Sequence, residues 1–167
     1  MGLLDFFKTE EETQKYSELH NKIKEEYPEL DEKSLILTGC MAGLMARVAY
    51  VDFDLDPKEL EQMPLLMDKC ELPKEIDSKN LVKIAVDHIE QMAGLENHLY
   101  VHPLRDLLSK DDRFKLVRSL FCLAASDGSV DGVEAEEIRT IVKGLELSNQ
   151  HYLAARAEVS EFLKALH

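Results

Sequence analysis

Residues 48–72 and 123–147 are two versions of one stretch. At an offset of 75, without gaps, VAYVDFDLDPKELEQMPLLMDKCEL lies over LAASDGSVDGVEAEEIRTIVKGLEL. Seven of the 25 positions are identical: Ala49/Ala124, Asp52/Asp127, Asp56/Asp131, Glu59/Glu134, Glu61/Glu136, Glu71/Glu146 and Leu72/Leu147. Chance gives roughly one or two, somewhat more in an acidic chain. Leu55/Val130, Met63/Ile138 and Leu66/Ile141 exchange one apolar residue for another. Each copy offers an apolar helix, a short acidic loop and a helix that starts acidic. Two such units pack best as one pseudo-symmetric domain around their apolar helices.

The apolar spacing is helical along the chain. No segment alternates with period two, and no turn signal joins alternating runs into a hairpin. The expectation is an all-α fold, one helical domain of about seven or eight helices with two pseudo-symmetric halves. Residues 10–26 are polar with sparse apolar points (Tyr16, Leu19, Ile23, Tyr27) and read as a surface helix ending near Pro28. Residues 1–29 form an N-terminal segment and 30–167 the domain proper. Asp31 caps a helix over 32–52. Asp56-Pro57 opens another that runs to about Cys70, kinked at Pro64. Ser78 caps a fourth, with Leu81, Ile84, Ala85, His88, Ile89 and Met92 on one stripe. Residues 95–103 read as a connector, with His102 held extended by Pro103. Helices over 111–126 and from Asp131 to Leu145 follow, and Ser148 caps the last.

Charge narrows the partners. Twenty basic residues stand against 33 acidic ones, a net −13. Such a surface repels phosphate backbones, which disfavours nucleic acid and suits cations or a basic protein. Cys40, Cys70 and Cys122 are an odd set with no CxxC pair, against both a disulfide framework and a thiolate zinc site. A reducing, cytoplasmic compartment is expected. The longest apolar stretch, Leu35 to Ala46, has Thr38 as its only polar member and is too short to span a membrane. Gly39 and Gly43 within it read as close helix packing in a core.

The two loops run from Asp52 to Glu59 and from Asp127 to Glu134. Asp56 and Asp131 are natural N-caps, and Glu59 and Glu134, three residues on, complete a capping box. Leu55 and Val130 are placed to staple the first turn. Asp52 and Asp127 are harder to explain as helix chemistry. Each follows an apolar helix, where a carboxylate opposes the negative end of the dipole and costs up to about 1 kcal/mol. Found twice, this placement asks for a compensating cation, or for a turn-forming Asx role. An EF-hand does not account for it. Its bidentate Glu is replaced by Met63 and Ile138, and Pro57 stands where the first loop would need Gly. Two half-sites combining is the better arrangement. An all-oxygen ligand set favours Ca²⁺, Mg²⁺ or Mn²⁺ over Zn²⁺.

At these residues the sequence resembles the TerB family, small helical proteins and domains named after tellurite resistance. The second copy carries the resemblance: Ala125-Ser126-Asp127-Gly128-Ser129-Val130-Asp131, then Glu134, Ile138 and Leu145-Glu146-Leu147-Ser148. The first copy departs from it, with Phe53 in place of Gly128 and Pro73 in place of Ser148. The likeness spans residues 30–165. It implies an all-helical fold and a divalent-cation site where the halves meet, carried by Asp52, Glu59, Asp127 and Glu134. It further implies a role in tellurite and chemical-stress systems near membrane-associated complexes, with a protein partner and no defined reaction.

Other chemistry finds little support. No GxSxG, P-loop, GxGxxG or HExxH occurs, and nothing supplies a nucleophile, so no enzyme is expected. His98 and His102 have a helical metal spacing that Pro103 argues against. His88 reads as a satisfied core or edge histidine, and Cys40 and Cys122 as small core residues. Leu3, Leu4, Phe6 and Phe7 are an apolar cluster most simply docked on the domain. The expected function is a non-catalytic, cation-binding interaction component. The alternative is a metal-free acidic module that docks a basic partner.

Overall fold

The computed structural model describes the backbone of residues 10–91 and 98–165 and the side chains within 18–90 and 100–161. Among these residues the chain forms eight α-helices and no strand. They are α1 (Glu10–Glu26), α2 (Glu32–Ala49), α3 (Pro57–Asp68), α4 (Ser78–Gln91), α5 (His98–Leu107), α6 (Lys110–Ala124), α7 (Gly132–Gly144) and α8 (Asn149–Ala165). The apolar cluster at Leu3–Phe7, Met92 and the side chain of His98 lie outside the described residues.

The apolar run from Leu35 to Ala46 becomes the centre of the molecule. α2 packs against α1, α3, α4, α5, α6 and α7. From Leu35 to Ala49 only Leu37 and Arg47 escape full burial. A helix apolar on all sides must be enclosed, and this one is. α6 is its counterpart in the second half, packed on α2, α3, α7 and α8. Leu116, Val117, Leu120, Phe121, Leu123 and Ala124 fill its inner face. Leu19, Ile23 and Tyr27 lay α1 onto α2 and α4, and the Tyr27 hydroxyl donates to the Asp77 carbonyl at 3.3 Å. Among the described residues no helix is long and apolar enough to cross a membrane.

Of the expected connector over 95–103, the described part, residues 98–103, is helix instead. From His98 the chain is helical through Pro103 to Leu107. Proline within a helix costs about 3 kcal/mol. Tyr100, Val101 and Leu104 lie on one helical face and are fully buried, each contributing about 1.5–3 kcal/mol. Burial wins. The small residues that receive α5 make this possible. A Cβ on Gly43 of α2 would strike the Tyr100 ring, and one on Gly144 of α7 would stand 2.7 Å from Val101 Cγ1. α5 is thus seated by a glycine on each of two helices.

Smaller expectations also change. α2 ends at Ala49, not 52, and α6 at Ala124, not 126. Ser78 is the first residue of α4 rather than its cap. Asp77 accepts from the Lys79 amide at 3.2 Å, and the Ser78 hydroxyl bonds the Asp68 carboxylate. Cys40 is core, but Cys122 is exposed on the outer side of α6. His88 is fully buried, yet neither ring nitrogen meets a hydrogen-bond partner, so it is a core histidine but not a satisfied one.

Candidate functional site

The acidic loops are the turns α2–α3 and α6–α7, and their backbones match at the 75-residue offset. Tyr50 and Ala125 cap the preceding helices, and the carbonyls of both accept from the third amide on, Phe53 N–H and Gly128 N–H, each at 2.9 Å. Phe53 and Gly128 hold positive φ, 63° and 104°. Asp52 Oδ1 accepts from the Asp54 amide and Asp127 Oδ1 from the Ser129 amide, both at 3.1 Å. The Asx-turn role is therefore taken by both aspartates. It explains how each stands just past a helix end: the carboxylate is engaged by its own loop. Glu71 and Glu146, at the far ends of α3 and α7, share φ of 55° and 56°.

The caps form as the spacing predicts. Asp56 Oδ1 accepts from the Lys58 amide at 2.7 Å and Asp131 Oδ1 from the Glu134 amide at 2.8 Å. Leu55 and Val130, just before them, pack half-buried against the core. Met63 and Ile138, where an EF-hand would place its bidentate glutamate, are wholly buried in the core.

The two glutamates are what distinguishes these loops from ordinary capped turns. Asp52 and Asp127 are exposed, but Glu59 and Glu134 are only 6% and 7% accessible. Burial, opposed by the Asp56 backbone N–H and aided by the charges of Asp52, Asp56 and Asp127, pushes Glu59 up to about 7. Burial, a hydrogen bond with the Asp131 side chain and the charges of Asp131, Glu59 and Asp127 push Glu134 up to about 9. Two things follow. Carboxyls of the two loops lie within electrostatic reach of one another, since Asp127 acts on Glu59 and Glu59 acts on Glu134. As a carboxylate, Glu134 also finds no donor for its buried Oε2; the bond with the Asp131 side chain needs a proton between the two carboxyls. A buried oxygen without a donor is costly, on the order of 1–3 kcal/mol, and calls for a function or a ligand.

The donor set suits a hard cation: carboxylates only, with like charges that a divalent ion would neutralise. Among the described residues, however, no group of three or more His, Cys, Asp or Glu is gathered closely enough to hold a metal ion. His98 and His102 both lie on α5, so their four-residue spacing is helical after all, while the side chain of His98 is outside the described set. Asp131, which presses on Glu134, was paired with it from sequence as a capping box; the burial of that glutamate had no signal in the spacing.

The family model for tellurite resistance protein TerB matches residues 38–157, more than two thirds of the chain. The chain belongs to the TerB family. The matched span begins within α2 and ends within α8, so both acidic loops of this TerB domain lie inside it. A search of curated proteins and a search of solved structures each returned no match.

Proposed function

We propose that this TerB protein is a non-catalytic component of a tellurite or chemical-stress response system that binds one divalent cation between its acidic loops. Asp52, Glu59, Asp127 and Glu134 would hold the ion, with Ca²⁺, Mg²⁺ or Mn²⁺ preferred to Zn²⁺ because every donor is oxygen. The observation that carries this reading is the buried, unpartnered Oε2 of Glu134 among the carboxyls of Glu59, Asp127 and Asp131. Such a group is stabilised by a proton or, once ionised, by a cation. The bound ion would supply charge neutralisation that ties the α2–α3 turn to the α6–α7 turn. The protein would then act through a protein partner, in the cytoplasm, where three unpaired cysteines persist.

A second reading rests on a different observation. Phe53 and Val133 are 65% and 54% exposed and flank the same acids. An aromatic and an aliphatic side chain beside clustered carboxylates suit a basic, amphipathic partner, with no metal required.

Melting temperature distinguishes the two. Chelator-treated protein is titrated with Ca²⁺, Mg²⁺, Mn²⁺ and Zn²⁺ beside an Asp52→Asn/Asp127→Asn double variant. The cation reading expects a saturable, cation-specific rise that the variant loses. A flat response, or the same rise in the variant, leaves the acidic face as a docking surface.

A further inference from the structure

At the other end of α2 and α6 from the acidic loops lies a cavity of about 420 Å³. Eleven residues of helix, about 16 Å, separate Thr38 on its wall from Ala49, the last helical residue before the first loop. The first turns of α2 and α6 contribute Ser34 and Asp112, and the turn after α3 closes one side. Its charge is opposite to that of the chain. Lys69, Lys74 and Lys115 line it against Glu71 and Asp112, a net +1 in a molecule of −13. Asp112 and Lys115 pair with each other at 3.7 Å, which leaves Lys69 and Lys74 against Glu71. The positive ends of two helices add to that field. The rest of the wall mixes the apolar Leu37, Met41 and Leu116 with the polar Ser34, Thr38 and Ser119.

The other half of the molecule shows what this space can hold. At the 75-residue offset Thr38 corresponds to Arg113 and Cys70 to Leu145. Arg113 reaches across and its guanidinium donates to the Leu145 carbonyl. In the first half the short Thr38 replaces that long side chain, and the corresponding space stays open. Thr38 is fully buried and its hydroxyl meets no hydrogen-bond partner. It is also the single polar residue in the Leu35–Ala46 run. A buried hydroxyl without a hydrogen-bond partner thus stands among the residues of an open cavity that three lysines also line, a setting whose charge suits an anion.

We propose that this cavity binds a small organic anion, a carboxylate carried on a short apolar body. The apolar part would lie along Leu37, Met41 and Leu116, and the carboxylate would face the lysines. This site is independent of the acidic loops and of whether they hold a cation.

The test uses hexanoate as the probe, with hexylammonium and hexanol as isosteric cationic and neutral controls, followed by amide chemical shifts of the whole chain. The proposal expects saturable shifts with hexanoate on residues 34–41, 69–74 and 108–119, and none with hexylammonium. A Lys69→Ala/Lys74→Ala/Lys115→Ala variant should bind about tenfold more weakly, since exposed charge contacts are each modest. Thr38→Arg should close the cavity as Arg113 does in the second half and abolish binding. If that variant does not fold, the triple lysine variant decides alone. Absence of saturable shifts, equal shifts with hexylammonium, hexanoate binding as an adventitious additive only (shifts scattered outside these residues), or affinity unchanged by the lysine substitutions would each overturn the proposal.

Discussion

Glu59 and Glu134, one from each acidic loop, are both buried, and the charge of Glu59 is among the causes that lift Glu134 to about 9. The free protein therefore favours neutral carboxyls there. For a carboxyl whose folded value lies above the ordinary 4.5, stability is fully present below pH 4.5 and is lost as pH rises towards the folded value. Glu134 thus weakens the metal-free fold progressively from pH 4.5 to about 9, and Glu59 from 4.5 to about 7. Glu134→Gln keeps the shape and removes the charge. Without metal it should raise Tm at pH 8 by a few degrees, about 1 kcal/mol, and leave Tm at pH 4.5 unchanged. A lower Tm at pH 8 would show that the glutamate earns its place as a cap.

His88 pushes stability the other way. Burial first, and the charge of Lys22 second, lower it to about 4. Between pH 6.5 and 4 the unfolded chain takes up a proton there that the folded chain refuses, so stability falls as pH falls through that window. His88→Leu fills a similar buried volume and cannot titrate. Its Tm should drop less than that of the wild type between pH 7 and 4.5. Parallel Tm curves for the two proteins would refute the assignment.

Gly43 and Tyr100 set the seat of α5. A methyl group at Gly43 meets the Tyr100 ring, which is fully buried. Gly43→Ala should cost about 1–3 kcal/mol by overpacking, despite the better helix propensity of alanine. Chemical denaturation measures this directly. A Gly43→Ala/Tyr100→Leu pair should recover part of the loss, because the smaller side chain vacates the contact.

The helices were legible in the sequence wherever a cap and an apolar period agreed. Asp31, Asp56-Pro57, Asp131 and Ser148 each mark the start of a helix because a short polar side chain there satisfies free amides. α5 was hidden by a single residue. Pro103 predicts a break, and only the burial of Tyr100, Val101 and Leu104 on three-dimensional neighbours outweighs it. Burial also explains what was missed at the loops. The spacing identified Glu59 and Glu134 as partners of the caps but gave no measure of their depth, which decides their protonation. The same holds for His88, placed correctly on an apolar stripe yet without the partners such a residue usually finds. The cavity beside Thr38 left one trace, a lone hydroxyl in an apolar run, and became meaningful only against Arg113 in the other half.

Phe53 departs from glycine at a position where its counterpart Gly128 is relaxed. A non-glycine residue at φ 63° carries of order 1 kcal/mol of strain or more. Its ring meets Tyr50 edge-on, with centroids 5.7 Å apart, but stays largely exposed. Phe53→Gly should therefore raise Tm by a few degrees while leaving cation binding intact. A fall in Tm would mean that the contact with Tyr50 outweighs the strain.

A cation held jointly by the two loops is tested most directly by calorimetric titration of chelator-treated protein. Mn²⁺ or Ca²⁺ should bind at one ion per chain, and Asp52→Asn or Asp127→Asn alone should each weaken that binding, because neither loop suffices by itself. Two ions per chain, no saturable heat, or full binding retained when one loop is altered would contradict it.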